Sequence, residues 1–169
     1  KEISLINNAP DAYSKASMGQ NILNKIPLLR RPSYAVIDGA CMGGGLELAL
    51  ACTYRICVVN DKTKLSLPEV NLGFIPGFGG TQRLPKVVSL PIALDMILTG
   101  KAINVKKAYK IGLADATCSR HNTAHTLQEM IENPPKKKKN RASLIERKCP
   151  SLIFHMAKKN VMAKSKGHY

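Results

Sequence analysis

The sequence predicts an α/β fold, on three observations. A short apolar run, Tyr34 to Asp38, stops at Gly39. The glycines Gly43-Gly44-Gly45 then lead into Leu46 to Cys52, a stretch of strong helix formers without a breaker. A second β-type run, Tyr54 to Val59, follows at once, so the order is strand, helix, strand, then loop and helices.

Each element has a local reason. Tyr34 to Asp38 reads as a strand covered on both faces. The next helix begins at or inside the glycine run and carries Glu47 on its first turns. Tyr54 to Val59 alternates like a strand, and Asn60 to Thr63 make a polar turn. Leu65-Ser66-Leu67 is a brief extended piece pinned by Pro68, because the residue before a proline is pushed out of the helical region. Glu69 comes directly after that proline. Gly73 to Gly80 holds four glycines and one proline in eight residues, an irregular loop that launches Thr81 to Pro85. Pro91 to Leu98 and Val105 to Ile111 have helical spacing, closed by Gly100 and Gly112. Leu127 to Glu132 is moderately helical. The double proline and four lysines of residues 134–139 have the composition of a solvated linker. Beyond it, Ser143 to Lys148 and Ser151 to Lys159 form two short helices separated by Pro150. No internal repeat is present. The chain thus divides into a core, residues 1–133, and a basic linker with a helical segment, residues 134–169.

A length of 169 residues suits one domain that buries roughly 70% of its unfolded surface. No apolar run approaches the ~20 residues of a membrane span, and residues 1–26 show no secretory signal, so an intracellular or already trimmed chain is expected. The five cysteines, Cys41, Cys52, Cys57, Cys118 and Cys149, include no Cys-x-x-Cys pair and read as reduced, packed thiols. The net charge is +15, but residues 134–169 carry 11 Lys and Arg against Glu146 alone, so the charge is mostly a property of the tail. Nucleic-acid binding through Lys136 to Lys139, Arg141, Arg147 and Lys148 is not expected, since aromatics are only 5% and no stacking platform interleaves the basic residues. A docking surface for partner subunits is the other use of such a tail. His121 and His125 have a metal-ligand spacing without a third ligand, and the Gly77 to Thr81 loop lacks the lysine of a phosphate loop.

Two constellations carry chemistry. Backbone N–H groups where the glycine run enters the helix can face an anionic oxygen, in the manner of an oxyanion hole, although glycines there also let a strand and a helix pass closely. Glu69 sits among Leu65, Leu67, Val70 and Leu72, which favours the protonated carboxyl of a general acid. With Glu47 it makes a pair that can divide base and acid roles across one water.

Ile37 to Ala51, Leu67 to Leu84, Ala93 to Gly100 and Gly112 to Asp115 resemble, in order, the motifs of the crotonase (enoyl-CoA hydratase) superfamily. The strong match covers about residues 32–117. It is closer to one branch, the hydratase part of the multifunctional α subunit of the fatty acid β-oxidation complex. The Arg55 to Lys64 segment and the basic ending Lys158 to Tyr169 both resemble that branch. Thr53 stands where the family often has an acidic residue, and Ser66 where it often has glycine.

The resemblance implies a crotonase-like spiral of ββα units and hydration of trans-2-enoyl-CoA to 3-hydroxyacyl-CoA, with double-bond isomerisation as the alternative on the same site. Glu47 is implied as the base on water and Glu69 as the donor of a proton to the α carbon. Gly44 N–H is implied as one of two oxyanion donors, with Gly43, Pro68 and Gly77 shaping the pocket. The second donor and much of the coenzyme A surface lie, in the family, upstream of the position of Lys1. The expectation is therefore an internal piece of a longer polypeptide, a partial domain without its N-terminal strands. Hydration needs no cofactor, coenzyme A being part of the substrate; NAD belongs to a dehydrogenase region absent from this sequence. The branch further implies a thiolase β subunit as partner and a bacterial cytoplasmic, or in a eukaryote mitochondrial, location.

Overall fold

The computed structural model describes residues 8–136 and 150–164. A helix, α1 (Ala9–Leu23), leads into β1 (Tyr34–Ile37), and the chain then turns at Asp38 and Gly39 into β2 (Ala40–Met42), which belongs to a different sheet. α2 (Gly44–Ala51) returns it to β3 (Tyr54–Val58), and a second corner sends it into β4 (Lys64–Ser66). β3 lies parallel to β1 with Tyr34 opposite Tyr54, and β4 lies parallel to β2 with Ala40 opposite Lys64. Each ββα unit is therefore displaced by one strand from the last, which is the expected spiral. The two corners are tied together by Thr63, fully buried, whose Oγ1 accepts from Gly39 N–H at 2.9 Å.

After a 3-10 turn, Pro68–Leu72, come α3 (Gly80–Val87) and α4 (Leu90–Thr99). β5 (Ile103–Asn104) pairs antiparallel with β4, α5 (Val105–Lys110) follows, and β6 (Ala116–Cys118) closes the first sheet in the order β1-β3-β6. α6 (Thr123–Glu132) and α7 (Pro150–Lys164) complete the described chain. The main core, with Leu46, Leu50, Cys57, Leu65 and Leu84, fills the space between the two sheets and α2 to α5. A second cluster, with Tyr54, Ile56, Val58 and Met130, lies under α6 on the other face of β3.

That second cluster corrects the reading of the strands. Tyr54 to Val58, which alternates in sequence, is the central strand and all five of its residues are buried. Tyr34 to Ile37, expected to be covered on both faces, is the sheet's edge, with Val36 41% exposed. Position in the sheet decides coverage here, and short apolar runs do not encode it. α1 was not expected: its start is capped by Asn8 Oδ1, which accepts from Asp11 N–H at 2.8 Å, but only Leu23 on it is buried. In the tail, the helix expected over Ser151 to Lys159 runs from Pro150, a residue suited to a first turn, to Lys164. It packs against α4, with Ile153 buried. The helix expected over Ser143 to Lys148 lies outside the described residues.

One buried cation joins the elements behind the central strand. Arg55 is 2% exposed, and its guanidinium donates to Leu113 O at 2.7 Å and Cys52 O at 3.1 Å and pairs with Asp115 Oδ2 at 2.9 Å. The same carboxylate oxygen accepts from Arg55 N–H, and Asp115 N–H returns a bond to Arg55 O. This ties the end of α2, β3 and the segment before β6 into one unit. Removing one partner strands the other charge, a loss of about 3–5 kcal/mol for a buried pair. Asp115→Ala is expected to lower unfolding free energy on that scale, measured by urea denaturation, whereas exposed Asp61→Ala is expected to change it little.

Candidate active site

Glu47 and Glu69 are brought together by different devices. Glu47 lies on the first turn of α2, 2% exposed, with Oε1 accepting from Phe78 N–H and Gly80 N–H, each at 2.8 Å. The glycine-rich loop thus curls its backbone over the carboxylate. Glycine at position 80 suits this approach, since a Cβ would stand 3.0 Å from Glu47 Cγ and Oε1 and 3.2 Å from Pro76 Cβ, tighter than ordinary contact.

Glu69 is the second residue of the 3-10 turn opened by Pro68 and is 6% exposed. The turn ends at Gly73 in the left-handed conformation. Beneath it, Leu65 and Leu67 are fully buried, as the sequence suggested for the neighbours of an acid, while Leu72 is mostly exposed. Glu69 Oε2 is buried and has no hydrogen-bond partner among the described residues. Burial pushes the Glu69 carboxyl above the ordinary glutamate range; a hydrogen bond from its own backbone pulls it down, and the charge of Glu47 pushes it up further.

The glycine run completes the arrangement. Gly43 donates to Ser66 O at 3.0 Å and has φ +54 with ψ −127, a backbone state that L side chains rarely adopt. A Cβ on Gly43 would also stand 3.1 Å from Glu69 Oε1. Gly44 follows as the first residue of α2, exposed, where a backbone N–H has no intrahelical acceptor. Glu47, Glu69, Gly43 and Gly44 therefore surround one small region at the N-terminal end of α2. Pro68 holds the turn that carries Glu69. Gly77 lies in the loop that curls over Glu47, and its carbonyl accepts from Gln20 Nε2 on α1 at 2.7 Å.

Two participants were missed from sequence: Phe78 and Gly80, which act through backbone N–H groups and leave no side-chain signature. Arg83 was missed too; it donates to Phe78 O and to Asn24 Oδ1 and so braces the loop. A separate cavity of about 670 Å³ lies between α1, the C-terminal end of α2 and α3, and neither glutamate lines it. Among the described residues no group of three His, Cys, Asp or Glu is placed to hold a metal ion, and no helix is long and apolar enough to cross a membrane.

The family model described as enoyl-CoA hydratase/isomerase matches residues 3–166. The chain belongs to the enoyl-CoA hydratase/isomerase family. It is 42% identical, over 95% of its length, to the fatty acid oxidation complex subunit alpha of Vibrio campbellii, and 42% identical over 94% to that of Vibrio cholerae. It spans about a quarter of the length of those relatives, 24% in each case. Among solved structures, an enoyl-CoA hydratase of Geobacillus kaustophilus superposes with a TM-score of 0.70 at 33% identity, covering 75% of this chain and 47% of that one. One of Thermoplasma volcanium gives 0.71 at 28% identity, covering 79% and 53%. The two small sheets and their helices are the crotonase-like α/β fold.

The raised Glu69 carboxyl has a consequence for stability. A group protonated more readily in the folded state contributes fully below its unfolded pKa and loses that contribution as pH rises through the raised folded value. Glu69→Gln removes the ionisation. The variant is expected to be more stable than the parent at pH ~8, with the difference shrinking toward pH ~4, measured by urea midpoints at both.

Proposed function

We propose that this chain supplies the hydratase chemistry of a fatty acid oxidation enzyme, adding water to trans-2-enoyl-CoA to give 3-hydroxyacyl-CoA. The observation that carries the reading is the split between two buried carboxylates: one fixed by two N–H donors, the other with an orphaned oxygen and a raised pKa. Paired carboxylates whose environments differ in this way divide base and acid roles.

With Oε1 of Glu47 held by the loop, Oε2 is the oxygen that takes a proton from water as the water oxygen bonds to the β carbon. Electron density moves from the carbon–carbon double bond toward the thioester oxygen, where Gly44 N–H stabilises it. Glu69, whose site favours the protonated form more than water does, then gives its proton to the α carbon as the thioester carbonyl reforms. The sum is addition of one water. Proton return from Glu47 to Glu69 through solvent resets the pair, and no cofactor enters.

The fatty acid oxidation name of the Vibrio relatives supports placing this activity in β-oxidation. On that reading the chain belongs to a multifunctional α subunit that also holds an NAD-dependent dehydrogenase region. It works in the bacterial cytoplasm beside a thiolase β subunit, with residues 1–133 as hydratase core and 134–169, whose helix α7 packs back on α4, as the segment that joins the core to the dehydrogenase region.

Hydration of crotonyl-CoA, followed by loss of enoyl absorbance, tests the reading. Glu47→Gln and Glu69→Gln are each expected to lower kcat/KM by at least ~10²-fold, the usual scale for a positioned acid or base. A Glu69→Gln rate equal to the parent's rules the assignment out.

A further inference from the structure

The ring of Phe78 occupies an unusual place. One edge, Cδ1 and Cε1, lies only 2.4 Å from where a Cβ on Gly19 of α1 would stand. The opposite edge, Cδ2 and Cε2, lies 3.6 and 3.7 Å from where a Cβ on Gly44 would stand. The ring is thus wedged between a glycine on α1 and the first residue of α2. The backbone from which the ring projects is held on both sides, N–H by Glu47 and carbonyl by Arg83. The ring is nevertheless 39% exposed, so it presents apolar surface beside the Gly44 N–H.

We infer that Phe78 forms the wall next to the oxyanion donor and that Gly19, which bears no chemical group, sets the position of that wall and so the acyl-thioester shapes the site accepts. This rests on the proposed hydratase reading and adds a specificity-determining contact to it. A methyl group at Gly19 overlaps the near edge of the ring. Since Gly19 is on a helix anchored to the loop through Gln20 and Asn24, the ring is the part that yields, toward Gly44. The space beside the donor then narrows.

The test compares kcat/KM for crotonyl-CoA and its 2-methyl derivative, whose extra methyl sits next to the thioester, in the parent protein, Gly19→Ala, Phe78→Leu and the double variant, with a urea midpoint for each. A displaced Glu47 slows both substrates together, so the ratio between them isolates the wall. Gly19→Ala is expected to shift that ratio against the 2-methyl substrate by about tenfold, the scale of a methylene in an apolar pocket. Phe78→Leu, which removes the ring edge, is expected to restore the ratio in the double variant, a non-additivity characteristic of direct contact. An unchanged ratio in Gly19→Ala, or a shift that Phe78→Leu does not restore, overturns the inference. If the parent hydrates neither substrate, the hydratase reading falls separately. The wall is then judged by calorimetric binding of octanoyl-CoA: weaker binding by Gly19→Ala with recovery in the double variant supports it, and equal affinity overturns it.

Discussion

The candidate site depends on the hydrogen bonds from Phe78 and Gly80 to one oxygen of Glu47. They join the first turn of α2 to a loop that has no regular structure of its own between Gly73 and Gly79. Without them the loop has little reason to curl over the helix, since its apolar residues Ile75 and Phe78 are largely exposed. A charge-assisted bond to a carboxylate contributes about 1.5–3 kcal/mol, and here two share one acceptor. The constraint propagates outward. A backbone this close to a side chain leaves a Cβ at position 80 crowded, and Phe78, held by its N–H, has its ring against Gly19 of α1.

The rest of the fold delivers the two carboxylates to the same place. Because β1 with β2 and β3 with β4 are successive copies of one strand–corner–strand unit, Gly43 at the end of β2 and Pro68 just after β4 emerge side by side. Gly43 N–H bonding to Ser66 O seals that neighbourhood. Thr63 at the corners and Arg55 with Asp115 behind the central strand keep the units in step. α4 ends against the Glu69 turn at Gly100, where a Cβ would meet Pro68 Cα at 3.1 Å. The site is therefore made from strand ends and helix starts, positions that packing of the sheets determines.

What could be read from the chain follows from where its signals are local. The helix start at the glycines, the turn after Pro68 and the irregular loop to Gly80 are written in residues with narrow backbone preferences, so Glu47 and Glu69 could be located before any fold was seen. The faces of β1 and β3 could not, because both runs are apolar and only the covering by α6 separates them. α1 shows the opposite case: Asn8, Pro10 and Asp11 form a readable helix start, but the helix buries almost nothing and its apolar spacing is weak. Phe78 and Gly80 were invisible for a different reason. Their contribution is a main-chain N–H, which every residue but proline possesses, so only the geometry distinguishes them.

The same geometry gives two residues of one type different surroundings. Both glutamates are buried, and burial favours the neutral form of Glu69. Glu47 is relieved by two donors from a loop built to reach it. Glu69 has no such relief for Oε2, and an orphaned buried acceptor costs about 1–3 kcal/mol. That cost is one that an apolar side chain at the same position does not carry. A destabilised acid beside a carboxylate held by two donors, at the N-terminal end of α2, is the arrangement that the proposed reaction needs for its proton donor.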